Sequence, residues 1–399
     1  MTSSPSAGRG EDAATRASTP IRVDVLREEA AFLALEPVWD PLLRASGSDL
    51  VFLTFDWVTA WWRRFGAGAA PRVMVARCAG IPVGIAPFVR TTHAGIRRLG
   101  LMGGKTADYK DLIVAPAARR ATVAALLRAL LAQRDWDYLE WTGLREDSPN
   151  LPHLADLLAE MGCATALRRP KVFTTIPLRG SWDQYFAALS KNSRKNARRQ
   201  ARALEEERGA VVYRRAATPG DVERFMDALV RQHVERWRAH SGYSALESPT
   251  LAATYRDVAR RFLASGRLRL SVLMVRDQVA ATDLGFEHAG VHFSCLTSMS
   301  GSFAPYSVGR LLLLRIIEDA FRDGLRTVDL LQGDEPYKAE FSPEVRGLHT
   351  LGLAAPGWRG SLASTWAGRL QPWLVRRIGS SSFVRRLQGR RLRAEARPI

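Results

Sequence analysis

One stretch limits the fold of this chain more than any other. Residues 291–341 read as strand, loop, helix, strand and polar turn. Val291-His292-Phe293-Ser294-Cys295-Leu296 is short, apolar and partly β-branched or aromatic, which suits a strand. The loop 297–308 holds Gly301, Pro305 and Ser307, and Gly309 then opens a leucine-rich helix that Gly324 ends. Thr327-Val328-Asp329-Leu330-Leu331 is a second buried strand, and Gln332-Gly333-Asp334-Glu335-Pro336-Tyr337-Lys338 leaves it. The first amides of a helix have no partners and its dipole favours an anion there, so the loop before Gly309 can hold a phosphate.

The same order of elements occurs earlier. Residues 72–77 and 81–90 form a hairpin turned at Ala79-Gly80, residues 96–102 continue the sheet, and a helix over 116–133 leads to a strand at 136–141. In the second half, strands at 268–276 and 279–287 precede the one at 291–296. The chain thus reads as two copies of one α/β unit, each a mixed, mostly antiparallel sheet flanked by helices. The expected divisions are a disordered N-terminus 1–20, a first domain 21–176, a second domain 177–355 with a basic helix at 190–202, and a basic amphipathic tail 356–399. In the first copy, Trp57, Trp61 and Phe65 recur every four residues and are expected to form a core face. Gly103-Gly104-Lys105-Thr106 lacks the spacing and the following helix of a P-loop.

Charge narrows the partners. The 399 residues carry 58 Lys+Arg against 40 Asp+Glu, a net charge of +18 that attracts nucleic acid, anionic lipid or an acidic substrate. Residues 190–202 hold six bases (Lys191, Arg194, Lys195, Arg198, Arg199, Arg202) and no acid. On a helix, Arg194, Arg198 and Arg202 share one row and Lys191, Lys195 and Arg199 another, a broad cationic face for a solvated surface or an anionic partner. The tail 358–399 has ten Arg and one Glu among apolar residues, which suits an anionic membrane surface, a docked helix or a disordered segment. Cys78, Cys163 and Cys295 form no Cys-x-x-Cys pair, which fits a reducing compartment, and the first twenty residues lack the apolar core of a leader. His233 and His240, seven apart around Glu235-Arg236-Trp237, do not have metal-ligand spacing.

Phe52-Leu53-Thr54-Phe55-Asp56-Trp57 with Trp61, Trp62, Phe65 and Gly66, then Asp108-Tyr109-Lys110-Asp111 and Ser190-Lys191-Asn192-Ser193-Arg194, resemble in this order the strings of the CelD/BcsL-type family of the GNAT acetyltransferase superfamily. Tyr306-Ser307-Val308-Gly309-Arg310-Leu311-Leu312 follows, with Val308 where the family has proline, and then Asp329-Leu330-Leu331-Gln332-Gly333-Asp334-Glu335-Pro336-Tyr337-Lys338. The resemblance spans roughly residues 21–355. It implies tandem GNAT-like domains, also seen in Fem-type transferases, and acyl transfer from acetyl-CoA to an amine; an amino sugar or a cell-envelope or exopolysaccharide precursor is the acceptor class it suggests. The usual Arg/Gln-x-x-Gly-x-Gly/Ala string is absent.

On this resemblance, the donor is expected on Ser307, Val308, Gly309 and Arg310, with Leu296 and Thr297 beside the thioester. An amide near Cys295–Thr297 would polarise the carbonyl. Asp283, Glu287, His292, Asp334 and Glu335 are candidates to take the amine proton, and Tyr337 to protonate the thiolate. Tyr337, Glu335 and Asp334 lead as catalytic residues; Lys338, Asp108, Tyr109, Lys191, Arg194 and Trp237 are expected to contact the acceptor. His292, inside a strand, has a structural reading. Aminoacyl transfer from tRNA, as in Fem-type enzymes, and a non-catalytic partner of a polysaccharide synthase are the alternatives. The expected location is cytoplasmic, with the tail at the inner face of the membrane as a further option.

Overall fold

The structure, a computed structural model, describes residues 20–365 apart from 94, 164, 343 and 356. The expected disordered N-terminus up to residue 19, and the basic tail beyond residue 365, lie outside the described residues. The chain divides into two compact units. One contains the chain up to Arg168 and the stretch from His349; the other is Arg169–Leu348.

The first unit is built on strands β1 (Arg22–Leu26), β2 (Ala70–Cys78), β3 (Ile81–His93), β4 (Ile96–Leu101), β5 (Ile113–Val114) and β6 (Tyr138–Arg145). Their order is β1-β2-β3-β4-β6, with β5 on β3. Neighbours are antiparallel except β4 and β6, which run parallel at Arg98↔Tyr138 and Leu99↔Leu139. The β2–β3 hairpin turns through Ala79 and Gly80, both with positive φ (50° and 80°), the geometry that matches strand twist in a two-residue loop. Its helices are α1 (Glu29–Leu33), α2 (Glu36–Ala45), α3 (Phe55–Phe65), α4 (Arg119–Ala132) and α5 (Leu151–Glu160). Thr54 caps α3 by accepting from the Trp57 amide. Trp57, Trp61 and Phe65 are core, as their spacing predicts, but Phe55 and Trp62 are buried as well. The aromatic helix is therefore enclosed on more than one face, with Phe32 and Trp39 edge-on to each other beside Phe55.

Beneath this layer lies a buried carboxylate, Asp111. It accepts from Ser48 Oγ (2.8 Å), Ser148 Oγ (2.6 Å), Asn150 Nδ2 (2.9 Å) and the Leu112 amide (2.7 Å). Burial raises its pKa, and the four donors oppose that rise.

The second unit begins in β7 (Thr165–Pro177), a strand that the sequence pattern did not reveal. In chain order come helices α6 (Trp182–Ala188) and α7 (Lys191–Arg208), strand β8 (Val211–Arg215), helices α8 (Pro219–Ser241) and α9 (Pro249–Ala264), and strands β9 (Leu268–Val275), β10 (Gln278–His288) and β11 (Val291–Met299). Helix α10 (Val308–Arg322), β12 (Thr327–Gln332) and the short α11 (Lys338–Phe341) follow. The strand order is β7-β12-β11-β10-β9-β8. All neighbours are antiparallel except β11 and β12. Each unit thus has one parallel pair joined through a helix, α4 in the first and α10 in the second, and both helices follow a left-handed residue, Ala118 (φ 59°) and Ser307 (φ 51°). Strand β13 (Val345–Ala354) leads back to the first unit, where Leu351 and Leu353 join the core, and the chain continues into α12 (Trp358–Thr365). Trp358 and Leu362 on α12 are exposed.

In the second unit, α10 is buried through Val308, Leu312 and Ile317, as its leucine-rich face predicts. Among the described residues no helix is long and apolar enough to cross a membrane, and no group of three or more His, Cys, Asp or Glu is arranged to hold a metal ion.

Candidate active site

The site is built where two parallel strands part. β11 and β12 pair at Val291↔Thr327, His292↔Val328 and Phe293↔Asp329 and no further, although β11 continues to Met299 and β12 to Gln332. β12 turns aside because Leu331 adopts φ 58°, a conformation stabilised by Asp329 Oδ1 accepting from the Leu331 amide (2.8 Å). On its other edge β11 bulges: Leu284 faces Leu296 and Gly285 faces Ser294, so Cys295 is the extra residue. Flanking positions of the second sheet are buried, whereas residues 294–297 are half-buried. The opening between the strands therefore exposes backbone that a sheet interior would normally pair.

Helix α10 starts beside this opening. Ser307 supplies the carbonyl that accepts from the Arg310 and Leu311 amides, and among the described residues no side chain caps the helix. The amides of Val308 and Gly309 belong to the first turn, which has no intrahelical acceptors. Gly309 packs on Met299 so closely that a Cβ would stand 2.5 Å from the methionine methyl. The expected anion loop is thus ordered as a turn over residues 301–306 followed by Ser307, and the helix begins one residue before the expected Gly309. The basic helix α7 lies alongside, with Gln200 Nε2 donating to Ser307 Oγ (2.9 Å) and Arg208 to the Ser302 carbonyl (2.7 Å).

On the side of the loop after β12 stands Tyr337. Loss of hydration at the phenol, then the charges of Glu335 and Asp283, push its pKa up to about 12, while Arg236 opposes them. The residue is 46% exposed, so the side chain is partly open to solvent. Asp283, from β10, is 1% exposed. Its Oδ1 accepts from Ser294 Oγ (2.5 Å) and Thr297 Oγ1 (2.8 Å), one on either side of the bulge. Arg236 comes from α8, which Gln232 fixes to the sheet by donating to the Val279 carbonyl (2.7 Å) and accepting from Ser298 Oγ (3.1 Å). One turn on, Trp237 is 42% exposed beside His233. The His233 ring nitrogen Nδ1 lies 2.8 Å from Ser244 Oγ, and burial, aided by Arg236, lowers its pKa to about 4. A cleft of about 520 Å³ runs beside α8 between Arg231, Glu235, Ser300 and Phe303.

The structure brings Tyr337, Glu335, Asp283, Leu296 and Thr297 to this opening, with Trp237 on the neighbouring helix. Other expected site residues are placed differently. Lys338 is 4% exposed, and its ammonium donates to the Leu331 (3.3 Å) and Gln332 (3.0 Å) carbonyls and pairs with Glu335 (2.9 Å). It fastens the turn to the kinked strand end. Arg310 points away from the first turn, toward the Ser193 carbonyl (3.1 Å) and Glu340 (3.1 Å). Asp334 and Lys191 are exposed and Arg194 is half-buried. Glu287 is committed to Arg269.

Asp108 and Tyr109 belong to the equivalent place in the first unit, which the chain itself fills. There the Lys110 amide bonds the Gly143 carbonyl (2.9 Å), Trp141 donates to the Lys110 carbonyl (2.9 Å), and Lys110 Nζ donates to Ala107 O (2.9 Å) and Thr142 Oγ1 (3.2 Å). Gly143 (φ 78°) has no room for a Cβ, which would lie 2.4 Å from the Asp108 carbonyl oxygen. Tyr109 is 0% exposed, under the Arg145 guanidinium and edge-on to Phe52, which leaves no surface to offer an acceptor. Two residues of the second-unit site, Ser294 and Gln200, carried no sequence signal beyond being uncharged polar residues in an apolar strand and in a basic run.

Residues 191–339 match a family model described as an acetyltransferase (GNAT) domain. A comparison with curated proteins returns no match. Among solved structures, the fold is similar to that of FemX, with 10% identity, TM-score 0.57, and coverage of 79% of this chain and 95% of that one. It is also similar to a conserved protein of unknown function from Bacteroides thetaiotaomicron (12% identity, TM-score 0.53, 84% and 100% covered). A third is the C-terminal DUF2156 domain of a protein described as a lysylphosphatidylglycerol synthetase from Agrobacterium fabrum (14% identity, TM-score 0.52, 85% and 96% covered). The parted strands, the bulge and the helix start all lie inside the segment that matches the acetyltransferase (GNAT) domain model.

Proposed function

We propose that this protein is an acyl-CoA-dependent N-acyltransferase whose working site is the opening between β11 and β12. The observation that carries the reading is the conjunction of parted parallel strands and an uncapped helix start at the end of the same strand. A donor with an anionic head and a slender acyl-bearing arm suits this shape: the head rests on the Val308 and Gly309 amides, and the arm lies along residues 294–299. The amide of the bulge near Cys295 polarises the thioester carbonyl. The amine attacks that carbon, the C–S bond breaks, and Tyr337 gives the departing sulfur its proton. The phenol carries its proton at neutral pH, and its raised pKa means that the proton leaves only as negative charge builds on the departing sulfur.

The acceptor enters beside α8, where Trp237 and Arg236 are exposed. Trp237 can stack on a sugar or other flat apolar surface. Together with the ordered motifs of the CelD/BcsL-type proteins, this favours an amino sugar or cell-envelope precursor, with a cytoplasmic site of action. Lys191 and Arg194 lie at the start of α7 and serve the donor or acceptor as sources of positive charge. In the two-domain reading, residues 21–176 are a support and residues 177–355 do the chemistry.

The alternative donor, aminoacyl-tRNA, is favoured by one observation: Lys191, Lys195, Arg198, Arg199 and Arg202 of α7 are all exposed. Thiol release from acetyl-CoA in the presence of a panel of primary amines tests the main reading. Release that depends on an amine and falls about 100-fold in Tyr337→Phe supports it. Transfer from charged tRNA without any release from acetyl-CoA sinks it.

A further inference from the structure

Two buried polar atoms next to the opening have no hydrogen-bond partner among the described residues: Asp283 Oδ2 and His292 Nε2. They face each other at 3.6 Å, and the residues are 1% and 3% exposed. A carboxylate oxygen and an imidazole nitrogen left unpaired inside a sheet are costly unless they serve a purpose. The space for the imidazole is specifically kept. It lies over Gly285, where a Cβ would stand 2.7 Å from His292 Cε1 and Nε2. The other oxygen of Asp283 accepts from two hydroxyls, those of Ser294 and Thr297. Both hydroxyl residues belong to the half-buried stretch that lines the opening.

We propose that Asp283 receives the proton of the attacking amine, with Ser294 and Thr297 as the carriers and His292 set beside its second oxygen. The proposal rests on the acyl-transfer reading above and adds the base to it. As the amine nitrogen bonds to the acyl carbon, its proton passes to Ser294 Oγ or Thr297 Oγ1, and the hydroxyl's own proton moves to Asp283 Oδ1. The carboxyl group then bears that proton on Oδ1, while Oδ2 stays beside His292 Nε2, 3.6 Å away and beyond hydrogen-bond range. The C–S electron pair leaves with sulfur, which takes the Tyr337 proton. The proton held by Asp283 returns to the phenolate and resets the site, so that one amine and one thioester give one amide and one thiol. The charge of Asp283 already reaches the Tyr337 phenol, so the two groups share one field.

Asp283 touches no reacting atom in this account. It is a positioning residue that acts through Ser294 and Thr297, and its effect belongs in kcat rather than in donor binding. The test uses the full chain, acetyl-CoA and charged tRNA as alternative donors, and the same amine panel. Asp283→Asn keeps an oxygen for both hydroxyls and is expected to lower kcat about 100-fold, with the donor KM and the calorimetric donor affinity within about threefold of wild type. The double variant Ser294→Ala/Thr297→Val is expected to match that loss, and adding Asp283→Asn to it to change little more. Asp283→Asn that melts like wild type and turns over within about threefold of it overturns the proposal while leaving the acyl-transfer reading standing. A wild-type protein that transfers from neither donor overturns both.

Discussion

Gly285 and His292 occupy one space: the imidazole lies where a side chain at position 285 would begin, 2.7 Å from its Cβ, and the Arg269 carbonyl oxygen closes the other side at 3.0 Å. Neither neighbour is a flexible chain end that could swing aside. Gly285→Ala is therefore expected to destabilise the second unit by about 1–3 kcal/mol, the usual range for forced overpacking. Urea unfolding measures it. A variant as stable as wild type would mean that the imidazole has another place to go.

Lys338 is the clearest case of a charge whose role is structural. Its ammonium holds the kinked end of β12 through two carbonyls, and Glu335 completes its partners. Lys338→Met keeps much of the apolar stem and removes the head, leaving those carbonyls without a donor. A loss of about 2 kcal/mol in unfolding free energy is expected. Unchanged stability with a raised acceptor KM would instead show that Lys338 works on the acceptor.

Asp111 gathers four donors from three separate segments of the first unit. Asp111→Ala strands Ser48, Ser148, Asn150 and an amide in a dry interior. The expected cost is about 3 kcal/mol, read from thermal or denaturant unfolding. A cost under about 0.5 kcal/mol would show that water takes over the network.

His233 makes stability depend on pH with a definite sign. Its imidazole titrates at about 4 in the folded chain, against an ordinary 6.5. Between those values the unfolded chain binds the proton and the folded chain does not, so this contribution is full above 6.5 and is lost as pH falls toward 4. The difference in unfolding free energy between wild type and His233→Gln, followed from pH 7.5 to 4.5, should move against wild type on acidification. A difference that stays flat would contradict the buried neutral state.

The elements of the site were legible because they rest on local pattern. A β-branched strand at Val291, small residues before Gly309 and a leucine-rich helix ending near Gly324 each declare themselves within a few residues. What was not legible depends on partners far away in the chain. The bulge at Cys295 is a matter of register with β10, and the left-handed turn at Leu331 defies the residue's own preference. The same applies to Lys338 and Tyr109, whose exposure on a string of letters looks like any other. Asp283 stood among several acids of similar promise. Only strand pairing sets it between Ser294 and Thr297 and separates it from Glu287, which Arg269 holds.

The placement of the donor on the first turn of α10 is the centre of the account, and calorimetric titration with acetyl-CoA tests it most directly. Gly309→Glu sets a carboxylate among the amides expected to hold the donor's anionic head. Wild type should bind at a single class of site, because the first unit's equivalent opening is filled by its own chain. The variant should bind at least roughly 30-fold more weakly, about 2 kcal/mol, whereas Gly309→Ala, which displaces the same Met299 methyl without adding a charge, should bind within about threefold of wild type. Equal affinity in the two proteins would contradict the account.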